Sequence, residues 1–293
     1  MQQFTISEVE RLSGIKAHTL RIWEQRYGLA RPHRKASSHR IYTNEDLKEI
    51  LRVAFLYHRG VKISKIASLH PRMRLQLIES SLDKTTQPAQ IIDNLLKACM
   101  VFDDETFDAI FKHQIAQTGL VNTMLEVAYP LMHQAGVHWM NDQILPVQEH
   151  FISMRIRHHL LVGLQMVERP LKQPHLRIAL LTPEQEQHEL PLLFVHYLAK
   201  ALGHANWYIG ANASLATAEA VCKTWQPTHI YVHQVTQIPE VAPQDYIAKL
   251  SAIAPNAQII AGGAAMQSLQ SNNCLTVINS HHQLVALLEA NAN

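Results

Sequence analysis

Beyond residue 175 the chain carries five short, nearly unbroken apolar runs, at 176–181, 205–209, 229–232, 257–261 and 274–278, separated by stretches long enough for a helix. Runs apolar at every position, rather than at alternate ones, suit strands buried on both faces of a sheet. Strands alternating with helices pair in parallel, so 176–293 reads as a Rossmann-like α/β domain with a five-stranded parallel sheet. Ligands of such sheets bind beyond the carboxyl ends of the strands, where the strand order reverses. Three of the loops there carry chemistry. Glu186 and His188 follow the first strand in TPEQEQHELP, His233-Gln234 follows the third, and Gly262-Gly263 follows the fourth. A carboxylate two positions from a histidine suits metal ligation, because it accepts one ring proton and makes the other nitrogen more basic. Paired glycines let the backbone approach a bulky ligand closely. No GxGxxG is present, so a dinucleotide fingerprint is absent.

From 88 to 167 the apolar period is helical. Helices are expected at 88–100, 104–117, 119–137 and 144–166, with core stripes from Ile92, Leu95 and Leu96, from Phe107 and Ile110, and from Met124, Leu125 and Ala128. Four helices with short loops favour a compact up-and-down four-helix bundle. Trp139, Glu149 and His150 break its blandness: a polar pair beside a large aromatic can line a cavity. Equally, the indole can be interhelical core while the pair faces water. His150, His158 and His159 lack metal-triad spacing, and the adjacent His158 and His159 diverge on a helix. Residues 76–87 and 168–175 read as linkers, the latter carrying Pro170 and Pro174.

Charge separates the first 75 residues from the rest. Residues 1–72 hold 14 Lys and Arg against 6 Asp and Glu, the remainder 12 against 18. A small basic domain on an acidic remainder favours phosphate binding at one place. Thr5 and Glu8 have capping-box spacing, and Ile6, Val9 and Leu12 make one apolar helix face. Ser13-Gly14 turns the chain into a second helix over 16–25, which buries Leu20 and Trp23 and presents Lys16, His18, Thr19 and Arg21. Short helix, glycine turn and polar-faced helix is the geometry that sets the second helix in a major groove. After Tyr27-Gly28-Leu29, RPHRKASSHRIY (31–42) reads as a two-stranded wing: Pro32 blocks helix, Arg34 and Lys35 lie at its tip, and Arg40 and Tyr42 lie on its return strand. Arg26 either braces the wing or touches phosphate. Thr43 with Asp46 caps a further helix burying Leu47, Ile50 and Leu51. The whole is a winged helix-turn-helix over 1–75. One such domain makes few phosphate contacts, so tight binding to double-stranded DNA calls for two copies on a palindromic operator. The polar stretch SLDKTTQPAQ with Pro88 interrupts any long coiled coil after the wing, so a downstream region must set the homo-oligomer, dimer or tetramer.

No run of about 18 apolar residues occurs, and the start MQQFTISEVERL is amphipathic rather than signal-like, which points to the cytosol and away from a membrane. Cys99, Cys222 and Cys274 form no CxxC pair, so neither a disulfide scaffold nor a thiolate zinc site is expected. No nucleophile–base–orienter set can be named, and no catalytic residues are assigned; the chain is not expected to be an enzyme.

The stretch ISEVERLSGIKAHTLRIWEQRYGLARPHR, continued by HRIYTNEDL, resembles the DNA-binding domain of the MerR family nearly continuously from Phe4 to Leu69. By that resemblance Thr19 and Arg21 lie on the recognition helix, while Tyr27, Arg34 and Arg40 contact the DNA backbone around the wing. Residues 88–293 resemble the cobalamin-binding module of methionine synthase type. A MerR-type head on such a module is the arrangement of the B12-dependent light-responsive repressors of the CarH/LitR group. That resemblance implies adenosylcobalamin as cofactor. Trp139 and Glu149-His150 match the Trp-x9-Glu-His motif that covers the upper, adenosyl side of the corrin. Glu186-x-His188 matches the motif whose histidine is the lower axial cobalt ligand, and Gly262-Gly263 matches the glycines flanking the nucleotide tail. The chain departs from the pattern at Pro191, where the axial motif continues to a glycine. It departs again at His233 or Gln234, where a small Ser or Thr normally faces the tail. Three readings stand: a transcription regulator, repressing and sensing adenosylcobalamin and light; a regulator whose module is cofactor-free and serves oligomerisation or protein interaction; and a corrinoid methyl carrier, which the DNA-binding head argues against.

Overall fold

A computed structural model describes residues 3–29, 32–34, 40–80, 87–167, 176–238 and 242–292. Lys35, the linker 168–175 and the centre of the linker 76–87 lie outside them. The chain divides into two compact units, Met1–Gln117 with Glu126–Ser153, and Thr118–Leu125 with Met154–Asn293.

The first unit opens with β1 (Gln3–Thr5), α1 (Ile6–Ser13) and α2 (Ala17–Tyr27), followed by β2 (His33–Arg34), β3 (Arg40–Thr43) and α3 (Asn44–His58). Both expected capping boxes form. The Thr5 and Thr43 side chains accept from the amides of Glu8 and Asp46, whose carboxylates accept from the capping residues in return. Gly14 closes α1 at φ 69°, a left-handed backbone that costs glycine little. The expected two-stranded wing is a three-stranded antiparallel sheet in the order β1-β3-β2, because Gln3–Thr5 pairs with Thr43, Tyr42 and Ile41. Next come α4 (Ile63–Ser68) and α5 (Pro71–Ser80), which occupies residues read as the end of the head and the start of a linker.

The helices of the middle region are α6 (Gln87–Met100), α7 (Asp104–Thr123), α8 (Tyr129–Met140) and α9 (Pro146–Met166). The helix expected at 119–137 is not continuous. Gly119 leaves helical geometry inside α7 at φ 80°, and a π-turn over Met124–Ala128 precedes α8. Pro130 explains the turn: it has no N–H to donate, and its ring crowds the carbonyl four residues back, so the backbone widens there. One core joins Val9, Leu20, Trp23, Tyr42, Leu47 and Val53 of the first 58 residues to Val137 and Met140 of α8.

The second unit contains β4 (Arg177–Pro183), α10 (Leu190–Ala201), β5 (Ala205–Ala213), α11 (Leu215–Trp225), β6 (His229–His233), α12 (Pro243–Ile253), β7 (Gln258–Gly262), β8 (Leu275–Val277) and α13 (His281–Ala290). All five expected strands form one parallel sheet in the order β5-β4-β6-β7-β8. Ala179, Leu181, Ile230, Val232 and Ile259 pack beneath Cys222, Tyr246 and Leu250 of α11 and α12. Ile178, Leu180 and Ile260, the alternate positions, are buried as well, as strands covered on both faces require. The order reverses between β4 and β6, which places the loops after these two strands at the switch point.

Candidate nucleic-acid interface and ligand loops

On α2 the helical period buries Leu20 and Trp23, the indole edge-on to Tyr57 at 5.1 Å. Lys16, His18, Arg21 and Arg26 are exposed, and Thr19 and Tyr27 are half-buried. The cations are not equivalent. Lys16 pairs with Glu10 at 3.1 Å, and Arg40 reaches from β3 to Glu24 on α2 at 2.7 Å. Arg40 thus braces the wing, one of the two roles open to Arg26, whose guanidinium lies over the Tyr27 ring at 5.9 Å. Arg21 and Arg26 have no carboxylate partner among the described residues. The backbone of Arg34 pairs with Arg40 across the wing.

Of the residues read from the middle region, Trp139 lies in the last turn of α8 and packs against the core it shares with the first 58 residues. Its Nε1 is buried with no acceptor among the described residues. Glu149 and His150 open α9 and pair with each other at 3.5 Å, with His150 exposed. His159 is buried and His158 exposed, so the two diverge as expected.

In the second unit the loop after β4 holds a wholly buried carboxylate. One oxygen of Glu186 accepts from the His188 backbone at 3.0 Å and from His188 Nδ1 at 2.5 Å. The other accepts from the amides of Val235 and Thr236, both at 2.8 Å, and from the Thr236 hydroxyl at 3.0 Å. Burial works to raise the Glu186 pKa, but the hydrogen bonds and charge of His188 and the Thr236 amide outweigh it and hold it down at about 2. The His188 ring is half-exposed. With Nδ1 donating to Glu186, Nε2 is the nitrogen left to meet a metal, the arrangement that orients metal-binding imidazoles. The donor end therefore fits a cobalt ligand.

The glycine end is closely approached by the chain's own residues. His233 and Gln234 are buried, Nδ1 of His233 bonding the Tyr231 hydroxyl at 2.8 Å and Gln234 Nε2 the Thr236 carbonyl at 2.8 Å. A Cβ on Gly262 would stand 2.9 Å from the Tyr231 hydroxyl, and one on Gly263, at φ 97°, only 2.2 Å from the Gln234 carbonyl oxygen. The chain's own loop takes the room these glycines open. Pro191, the other departure, is the second residue of α10, where its missing N–H is not needed. Sequence reasoning missed Val235 and Thr236, which hold Glu186, and Tyr231, which holds His233. Among the described residues no group of three or more His, Cys, Asp or Glu is arranged for a metal, and no helix is long and apolar enough to cross a membrane.

The buried histidine makes stability depend on pH. Burial, helped by His281, pushes the His233 pKa down to about 3, so between an unfolded value near 6.5 and that point the unfolded chain binds more protons. Stability from this group is complete above about pH 6.5 and falls as the pH drops. The urea midpoint of the second unit is expected to be lower at pH 5 than at pH 7.5, by about 2 kcal/mol of stability. A His233→Leu variant should show a shallower dependence, and an equal slope in both proteins would remove His233 as its cause.

Comparison with known proteins bears on both ends of the chain. The family model described as "MerR HTH family regulatory protein" matches residues 4–72. The head of the chain is therefore of MerR type. Beyond the MerR-type head, similarity continues along nearly the whole length. The HTH-type transcriptional repressor CarH of Myxococcus xanthus is 24% identical over 276 residues, covering 92% of this chain and 91% of the relative. The HTH-type transcriptional repressor CarA of the same organism is 23% identical over 279 residues, 91% of this chain and 88% of the relative. A monomethylamine corrinoid protein from Methanosarcina barkeri superposes with a TM-score of 0.55 at 14% identity, over 69% of this chain and 98% of that one, which shows a shared fold.

Proposed function

We propose that this MerR-type regulator is a repressor that binds a palindromic operator as a homo-oligomer and senses adenosylcobalamin through its second unit. The observation that carries the sensing role is the Glu186–His188 pair. A fully buried carboxylate is fixed by three donors from the loop after β6 and spends its other oxygen on orienting one half-exposed imidazole. His188 Nε2 would be the lower cobalt ligand. Trp139, Glu149 and His150 are the residues that the resemblance places over the upper face. When bound, adenosylcobalamin supplies a photolabile cobalt–carbon bond, and the protein's part is a shift between arrangements of the heads rather than turnover.

A second reading has its own support. The packing of His233 and Gln234 against Gly262 and Gly263 favours a cofactor-free module that serves oligomerisation or protein contacts. One experiment separates the two. Protein mixed with adenosylcobalamin in the dark and gel-filtered is expected to retain corrin absorbance, to change its spectrum on illumination, and to shift operator DNA differently in the two states. His188→Ala should lose most of the retained absorbance while still shifting DNA. Wild-type protein that emerges colourless yet still binds operator decides for the cofactor-free module.

A further inference from the structure

The basic residues of α3 do not all serve DNA. Lys48 and Arg52, one turn apart, face the same way, as i and i+4 positions on a helix must. Both bond the carboxylate of Asp142 in the turn between α8 and α9, Lys48 to one oxygen and Arg52 to the other at 2.7 Å. Arg52 also donates through Nε to the carbonyl of Met140, the last residue of α8. Just beyond the end of α3, the Arg59 guanidinium lies 3.7 Å over the Phe55 ring and 3.2 Å from His133 of α8. The head is therefore held to α8 by ion pairs and stacking as well as by the shared core.

The turn that receives these cations passes through a left-handed residue. Asp142 has φ 62°, a region L residues other than Asn and Asp rarely enter. Its backbone amide donates to the carbonyl of Trp139 at 3.1 Å, tying the backbone of the turn to that residue. The Trp139 Nε1 and both amide atoms of Asn141 are buried without hydrogen-bond partners among the described residues. The two cations of α3 are the side-chain partners that hold this turn to the head. Lys48 and Arg52 are themselves nearly buried, and opening the turn would leave each with only a neighbouring glutamate on α3, Glu45 and Glu49.

We propose that Asp142, gripped by Lys48 and Arg52, is a latch that fixes the DNA-binding head to the α8–α9 turn and keeps Trp139 packed against the head. The latch goes beyond the sensing role above and needs no cofactor. Where that role also holds, a ligand drawing on Trp139 would have to open the latch, and the head would be released by the same event.

Amide hydrogen exchange of the full chain, without corrinoid, tests the latch. In Asp142→Ala the amides of α3 and of the last turn of α8 are expected to exchange about tenfold faster than in wild type, with α6 and α7 unchanged. Glu45→Gln, which removes the other, exposed partner of Lys48, should leave the pattern as it is. Should Asp142→Ala aggregate, the same comparison is made with Asp142→Asn, which keeps the side chain's shape and removes its charge. Unchanged exchange in α3 and α8, or acceleration spread evenly through α6 and α7, overturns the latch. Because every arm lacks corrinoid, its failure is distinct from a failure to retain the cofactor.

Discussion

An Arg21→Ala variant is expected to bind operator DNA about 10- to 100-fold more weakly than wild type, with little change in thermal stability. Arg21 projects from α2, the helix that the short-helix, Gly14-turn arrangement presents to a groove, and has no carboxylate partner among the described residues. Its charge is therefore available in full to a phosphate or a guanine edge. Arg40 differs, since its guanidinium is committed to Glu24 and is largely enclosed. Arg40→Ala should weaken binding too, but through a wing that has lost its brace, and it should also lower the unfolding midpoint of the head. Salt titration separates the two origins. Losing a direct phosphate contact at Arg21 lowers the slope of log affinity against log salt by about one per head, while a misplaced wing weakens binding with a less defined slope. Arg21→Ala binding operator as tightly as wild type at physiological salt would remove α2 as the reading element.

Much of the molecule was legible because local rules decide it. Thr5 with Glu8 and Thr43 with Asp46 announce helix starts that need no tertiary information, and Gly14 announces the stop between α1 and α2. Five nearly unbroken apolar runs announce five strands, and all five form, although β5 at the sheet edge is only half-covered, with Trp207 exposed, where burial on both faces was expected. What stayed hidden depends on partners distant in sequence. Gln3–Thr5 carries no periodicity and becomes a strand only because β3 lies beside it. The break before α8 had a visible cause in Pro130, which a period-based reading of 119–137 overrode. At the ligand loops, Glu186 and His188 were readable from spacing alone. The amides of Val235 and Thr236 were not, because the strand order brings the loop after β6 against the loop after β4. Charge counting misled in one respect: the basic total of residues 1–72 includes Lys48 and Arg52, which Asp142 occupies.

Glu186→Ala is expected to destabilise the second unit by about 3–5 kcal/mol, the largest effect of any single change at these loops. The carboxylate is wholly buried, and its removal leaves the amides of Val235 and Thr236 and the Thr236 hydroxyl without their acceptor. Such a loss exceeds the worth of any one hydrogen bond, because desolvated donors cannot turn to water. Glu186→Gln should cost less, since it fills the same space and keeps one acceptor, but its amide group meets donors where an oxygen stood. Acid titration gives an independent reading of the same group. With its pKa at about 2 in the folded chain against 4.5 for an ordinary glutamate, Glu186 contributes stability that is complete above about pH 4.5 and is lost as the pH falls toward 2. The full span corresponds to about 3 kcal/mol, of which about 2 kcal/mol is lost between pH 5 and pH 3; urea midpoints at those two values would register it for wild type, and Glu186→Gln should lack it. If both proteins lost stability equally over that interval, the carboxylate would have to be protonated already in the fold, and His188 would then have no anion to orient it.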